Sequence, residues 1–310
     1  MTDNFGRQID YMRVSLTDRC NYRCVYCMGD DGIEKKSHDD ILSLERVFDV
    51  IRAFVNVGGK KIRFTGGEPF VRKGAADLIR KTKSSFPGCT VAITTNGVFL
   101  PAYIEEIKNC VDAINISIDS LDPDVYARVT RGGRLSDALE GLRVAKEKTS
   151  AEIKINAVLM KDVNDKEIRA FADFGRERGV RVRFIETMPF RDDASLKKYM
   201  ISSEKIIGEF GLVFHESDNN ARYYLFPDGA EIGFISALSH KFCADCNRIR
   251  LTADGKLLPC LHGNREIDIK PYFDDNHIEN AFKVAIMQKP KSHNIDRGDL
   301  QKRSMNRIGG

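Results

Sequence analysis

The chain has 310 residues, 42% apolar and 30% charged, which is long enough for two domains or for one barrel with an appendage. Its 49 basic and 45 acidic residues leave a net charge of only +4, which argues against a nucleic-acid binder with a concentrated basic patch; a small polyanion needs only a few well-placed arginines. No apolar run approaches the ~20 residues of a membrane span, and the polar opening MTDNFGRQID lacks a signal-peptide core, so the expectation is a cytoplasmic protein with neither membrane nor nucleic acid as partner.

In chain order, the first strand-like run is Met12–Leu16. It leads directly into Cys20-Asn-Tyr-Arg-Cys24-Val-Tyr-Cys27, a C-x3-C-x2-C group. Three thiolates on one short loop can each bind a different iron of a four-iron cluster and leave the fourth iron open. Structural zinc is the alternative, but it needs a fourth ligand, and the nearest histidine is the distant His38. An amphipathic stretch, Ser43–Val57, ends at Gly58 and is followed by a strand at Lys61–Thr65 and then by Gly66-Gly67-Glu68-Pro69. Helix Ala75–Ser85, strand Val91–Thr95 with Asn96-Gly97, and strand Ala113–Ile118 with Ser117 and Asp119 at its end come next. Helix Leu135–Lys148, strand Ile153–Leu159, helix Lys166–Arg178 and strand Val182–Glu186 complete the alternation, with Met188 just beyond.

Six such alternations imply a parallel sheet, and their even length suits a partial βα barrel of the TIM type; an open doubly wound sheet is the alternative. In a barrel the chemistry gathers at the C-terminal ends of the strands, where the unusual residues above fall. The expected division is residues 1–194 as the partial barrel and 195–310 as a smaller domain that binds a second cluster and closes the barrel mouth.

That second part holds Cys243-Ala-Asp-Cys246 and, after thirteen intervening residues, Cys260. Again the thiolates stop at three. A Cys3His zinc site with His262 stays open as an alternative, although a histidine one residue past the last cysteine is atypical spacing. Between the ligands lies Asn247-Arg248-Ile249-Arg250; in an extended chain Arg248 and Arg250 face the same side and suit an anion. Cys89 and Cys110 stand apart and read as small core residues. Arg13, Arg63 and Lys154 lie on three separate strands, where convergent cations suit a small polyanion. The stretch Lys289–Arg303 matches no assignable pattern, and the chain ends in Gly309-Gly310.

The first triad, with Tyr26 directly before its last cysteine, resembles the signature of radical S-adenosylmethionine enzymes, and Gly66–Pro69 resembles their GGEP element. With the distal C-x2-C-x13-C, its interposed R-x-R and the terminal Gly-Gly, the whole chain resembles the GTP 3',8-cyclases of molybdenum-cofactor biosynthesis. The resemblance implies two [4Fe-4S] clusters, on Cys20, Cys24 and Cys27 and on Cys243, Cys246 and Cys260, with S-adenosylmethionine as cofactor. It implies S-adenosylmethionine contacts at Tyr26, Gly67, Ser117 and Met188. It implies GTP contacts at Arg13, Arg63, Thr94, Lys154, Arg248, Ile249 and Arg250. Arg248, Arg250, Gly309 and Gly310 would be catalytic.

The implied reaction removes the C3' hydrogen of GTP and joins C3' to C8, giving (8S)-3',8-cyclo-7,8-dihydroguanosine 5'-triphosphate. It calls for an external one-electron donor and a downstream cyclic pyranopterin monophosphate synthase, and it admits a homodimer. A departure is Asp30 after Met28-Gly29, where the family often has Met-Pro. The rival readings are a radical S-adenosylmethionine peptide-maturing enzyme with an auxiliary cluster and, in another class, a zinc-stabilised nucleic-acid-binding module.

Overall fold

The structure is a computed structural model that describes residues 1–28, 40–190, 194–218, 220–274, 277–295 and 300–309; Asp30, His38 and Gly310 lie outside the described residues. The first part alternates β1 (Tyr11–Ser15), α1 (Leu44–Asn56), β2 (Lys61–Thr65), α2 (Ala75–Ser85), β3 (Thr90–Thr95), α3 (Leu100–Ile107), β4 (Ala113–Ser117), α4 (Pro123–Thr130), α5 (Leu135–Lys148), β5 (Glu152–Leu159), α6 (Ile168–Arg178) and β6 (Arg181–Glu186). The second part holds α7 (Ser203–Glu209), β7 (Val213–Asp218), β8 (Ala221–Leu225), β9 (Glu231–Ile235), β10 (Arg248–Leu251), β11 (Lys256–Leu258), β12 (Ile267–Asp268), α8 (Pro271–Asp274) and α9 (Ile278–Met287).

Local chemistry accounts for the helices. The Ser43 hydroxyl accepts from Arg46 N at 3.2 Å to cap α1, and Val47, Val50, Ile51 and Phe54 recur at helical spacing on its buried face. In α4, Asp122 accepts from Asp124 N and Val125 N, both at 2.9 Å, ahead of Pro123. Neither α3 nor α4 is anticipated from periodicity. Each has 8 residues, too few to display a period, and each carries a proline in its first two positions that reads as a turn signal.

All twelve strands form one sheet in the order β12-β11-β10-β1-β2-β3-β4-β5-β6-β9-β8-β7. From β10 through β6 to β9 the neighbours are parallel; the outer pairs on both sides are antiparallel. Strands β1 to β6 run in sequential order without the reversal that marks a doubly wound sheet, so the fold is a partial βα barrel. The segment after residue 195 does more than cover this sheet: β10 extends it beside β1, and β9 beside β6.

Sequential winding gives the sheet two unlike faces. Met12, Val14, Ile62, Phe64, Ile114, Ile116, Ile155, Phe184, Ile249 and Leu251 belong to the main core. The alternate positions, among them Arg13, Arg63, Asn115, Lys154, Asn156, Arg183 and Arg250, line the inner cavity. Cys89 is buried in that core and Cys110 packs half-buried against it.

Candidate active site

The first cysteine group sits on the loop after β1, and three neighbours hold it. Arg23 N and Val25 N donate to Thr130 O and Val129 O at the end of α4, at 3.1 and 2.9 Å. Gly67 N donates to Thr17 O at 2.6 Å and Glu68 N to Arg19 O at 2.9 Å, which lays the Gly-Gly turn along the backbone just before Cys20. A side chain at Gly67 would collide with the Arg19 carbonyl. Glu68 turns inward and accepts from Thr95 Oγ1 at 2.9 Å and Asn96 N at 2.8 Å. Asn96 Nδ2 then donates to Asn21 Oδ1 at 2.8 Å and lies 3.9 Å from Cys20 Sγ. The Gly-Gly-Glu-Pro turn, the end of β3 and the cysteine loop thereby form one hydrogen-bonded unit.

The thiols of this loop fit a metal cluster on their own chemistry. Burial pushes Cys20 up to about 11 and, with Cys20 as neighbour, Cys27 up to about 12. Cys24 is driven well above the ordinary thiol value by burial, then by Asp119, Cys27 and Cys20. Three crowded thiols of this kind ionise together only around a cation. Tyr26 donates its hydroxyl to Asp119 Oδ2 at 2.8 Å, and Asp119 Oδ1 accepts from Val158 N at 2.9 Å, which fixes the ring against the end of β5.

Inside the sheet lies a cavity of about 290 Å³. The strand register sets a row of cations along its wall: Arg13 is level with Arg63 on one side and Arg250 on the other, and Tyr11 is level with Lys61 and Arg248. Arg63 Nε donates to the Tyr11 hydroxyl at 2.7 Å and its Nη1 lies 3.4 Å from Thr94 Oγ1. Burial alone would raise the Tyr11 phenol, yet Arg63, Arg13, Lys61 and Arg248 outweigh it and bring it to about 7. Burial and then the Arg13 and Arg248 charges push Arg250 well below the usual guanidinium range. Farther round, Lys154 Nζ pairs with Asp218 Oδ2 and Glu152 Oε1, both at 2.9 Å. Such a cation crowd is an anion site.

The second cysteine group lines the same cavity at Cys243, Cys246 and Cys260. Burial would raise Cys246, but the Lys289 and Arg248 charges hold it down at about 7. Burial raises Cys260, and the neighbouring Cys246 and Cys243 add to the rise. His262 is neutral, lowered to about 3 by burial, His293 and Arg250, and its buried Nδ1 has no hydrogen-bond partner among the described residues.

The chain end enters the site as well. Asn306 N bonds the Cys27 thiol, and Asn306 Nδ2 donates to Asp18 O at 3.0 Å. The Gly309 carbonyl accepts from Arg250 Nη1 at 3.0 Å, Thr65 Oγ1 at 3.2 Å and Arg13 Nε at 3.3 Å.

Of the residues singled out in the sequence, Tyr26, Met188, Arg13, Arg63, Lys154, Arg248 and Arg250 face the cavity with the second cysteine group. Gly67 lies in the turn against the first cysteine loop, and Ser117 closes β4. Thr94 reaches the site through Arg63. The Ile249 side chain is 1% exposed and belongs to the apolar core on the other face of the sheet, so only its backbone is near the cavity. Tyr11, Lys61, Asn115, Asn156, Arg183 and Lys289 also line the cavity and were missed. The signal for most of them was available: polar residues two apart in strands whose intervening residues are apolar, as in Lys61-Ile-Arg63 and Lys154-Ile-Asn156.

Comparison with known proteins agrees with this architecture. The profile of the radical SAM superfamily matches residues 14–175, and that of the Molybdenum Cofactor Synthesis C family matches residues 180–295. A GTP 3',8-cyclase of Alkaliphilus oremlandii is 43% identical over 321 residues, covering 100% of both chains. One of Petrotoga mobilis is 41% identical over 324 residues, again covering 100% of both. Among solved structures, Streptococcus suis SuiB bound to S-adenosylmethionine superposes with a TM-score of 0.60 at 12% identity, covering 97% of this chain and 76% of that one. Native anSMEcpe with bound AdoMet superposes with a TM-score of 0.59 at 14% identity, covering 89% and 84%. At such low identity these two attest the fold alone; the full-length identity to the cyclases carries the family. The chain belongs to the GTP 3',8-cyclase family of radical SAM enzymes.

Proposed function

We propose that the chain joins C3' to C8 of GTP, with Cys20, Cys24 and Cys27 holding the cluster that engages S-adenosylmethionine and Cys243, Cys246 and Cys260 holding a second cluster beside the guanine. The observation that carries this reading is the row Arg63, Arg13, Arg250 lying in register across three strands, in the same cavity as the second cysteine group. When bound, the first cluster with S-adenosylmethionine supplies the one-electron reductive chemistry of the superfamily.

The protein's share is binding, orientation and exclusion of water. Tyr26, Gly67, Ser117 and Met188 cradle S-adenosylmethionine. Arg13, Arg63, Thr94, Lys154, Arg248, the Ile249 backbone and Arg250 hold GTP, with the guanidinium forks on the phosphates. The Gly309 carbonyl orients Arg13 and Arg250, which makes the chain end, with Gly310, part of the catalytic apparatus. Residues 1–194 form the radical-generating part and 195–310 the part that presents the second cluster. An external electron donor, a downstream cyclic pyranopterin monophosphate synthase, a cytoplasmic location and a homodimer complete the reading.

The test is anaerobic reconstitution followed by incubation with reductant, S-adenosylmethionine and GTP. The expected result is about eight irons per chain and 5'-deoxyadenosine formed in proportion to GTP. Turnover of S-adenosylmethionine that ignores GTP would favour a peptide-maturing enzyme. A colourless protein with stoichiometric zinc and no sulfide would favour the zinc module.

A further inference from the structure

Lys289 is 5% exposed and lines the cavity beside the second cysteine group. Its ammonium donates to Arg248 O and to Pro259 O, both at 2.7 Å. Arg248 lies two residues after Cys246, and Pro259 directly precedes Cys260. One side chain thus ties together the two arms of chain that carry the three thiols.

A second tie comes from the other end of the sequence. Arg7 donates to Cys243 O at 2.7 Å, to Pro290 O at 2.7 Å and to Lys291 O at 3.1 Å. The Cys243 loop, the segment 289–291 and the N-terminal turn therefore close into one circuit. Asp3 neutralises Arg7 through a 2.6 Å ion pair whose side chains are 0% and 6% exposed, and Phe5 N and Arg7 N donate to its other oxygen.

Lys289 is differently placed. Among the described residues its bonds go to two carbonyls and to the Cys246 thiol, none to a carboxylate. A buried ammonium without a counter-charge is costly, and the cavity it faces is the place where an anion would relieve it. A four-iron cluster on three thiolates is such an anion in both of its ordinary redox states. Nearby positive charge and donors to its sulfurs raise its potential.

We propose that Lys289 and Arg7 are positioning residues of the second cluster: together they hold its two thiolate arms in register, and the Lys289 charge offsets the cluster's negative charge and raises its reduction potential. The inference rests on the reading of Cys243, Cys246 and Cys260 as cluster ligands. It gives a role to the start of the otherwise unassigned Lys289–Arg303 stretch.

The experiment is anaerobic reconstitution of the full-length wild type, Lys289→Met, Lys289→Arg and Arg7→Lys, with iron and sulfide counting, EPR of both clusters, a redox titration and a Tm. Wild type is expected to hold about eight irons per chain. Lys289→Met keeps the first cluster's signal; its second cluster is either lost, leaving about four irons, or titrates at a more negative potential. Lys289→Arg moves that potential back toward wild type. Arg7→Lys keeps the charge but loses the fork that spans three carbonyls, so it lowers occupancy of the second cluster alone.

Lys289→Met with full iron and an unmoved second potential would overturn the proposal. So would equal loss of both clusters with a lowered Tm, which marks a plain scaffold residue. If Lys289→Met does not fold, Lys289→Gln replaces it on the same readouts, and unchanged second-cluster occupancy and potential in Lys289→Gln, with unchanged occupancy in Arg7→Lys, overturn it. Wild type stopping at about four irons would instead remove the cluster reading of the second cysteine group, before any substitution is made.

Discussion

Gly309 has φ +73, and a Cβ there would lie 2.7 Å from Thr65 Oγ1 and 3.1 Å from Ser15 Cβ. Its backbone conformation and its closeness to β1 and β2 both demand glycine, and its carbonyl is the point where Arg13, Thr65 and Arg250 converge. Gly309→Ala is expected to lower GTP-dependent formation of 5'-deoxyadenosine at least tenfold while Tm moves by no more than a few degrees. The reason is that Gly309 lies outside every strand and helix, just beyond the short Met305–Arg307 turn, so a local shift absorbs the clash without disturbing the sheet. Assays of both quantities on the same preparation check this, and retention of activity would show that the chain end is a bystander.

Glu68 makes a second argument at this scale. Burial raises its carboxyl from 4.5 to about 7, although Asn96 N, Thr95 Oγ1 and Phe70 N all donate to it. A raised carboxyl favours the protonated fold, so its contribution to stability is complete below 4.5 and is lost as pH rises through about 7. Glu68→Gln should remove that part of the pH dependence, about 3 kcal/mol between pH 4.5 and pH 8. Urea unfolding at several pH values, on variant and wild type side by side, reads it directly. Identical pH profiles would mean that the carboxyl stays ionised.

At the scale of elements, the loop that carries the first cysteine group is shaped by its neighbours more than by itself. Gly67 touches the Asp18–Arg19 backbone so closely that any side chain must displace it, and α4 pins the loop from the opposite side. Gly67→Ala is therefore expected to abolish binding of the first cluster and spare the second, halving the iron content. Iron counting with EPR distinguishes this from a general collapse, in which both clusters disappear.

The β1-to-β6 alternation was legible because each strand places apolar residues outward and bounded helices follow it. The short helices α3 and α4 were not, since 8 residues that include an early proline carry no period. Of the later strands only the Arg248–Arg250 stretch of β10 was considered as extended chain; β7, β11 and β12 were missed for a related reason. β7 is an almost wholly exposed edge strand, and β11 and β12 have only 3 and 2 residues.

At the scale of the molecule, one sheet passes through both parts of the chain. β1 receives β10, and β6 receives β9, so a fragment ending at residue 194 would leave both outermost parallel strands without their partners. We expect residues 1–194 expressed alone to be insoluble, and the full chain to unfold in a single transition. Solution behaviour of the fragment and coincidence of two unfolding probes test this; a soluble, folded fragment would argue for independent domains.

By itself the sequence determined the two cysteine groups, the glycine-rich turn, the alternation of β1 to β6 with the longer helices and, through their resemblance, the family. These are local features, in which spacing along the chain carries the chemistry. It left undecided which cations share one wall, because that depends on strand register: Tyr11, Arg248 and Lys61 meet although they are far apart along the chain. Nor did it reveal that Arg7, Lys289 and Gly309 reach the site from the two ends of the protein. Contacts closed over tens to hundreds of residues leave no mark in local pattern, and only the folded sheet brings them together.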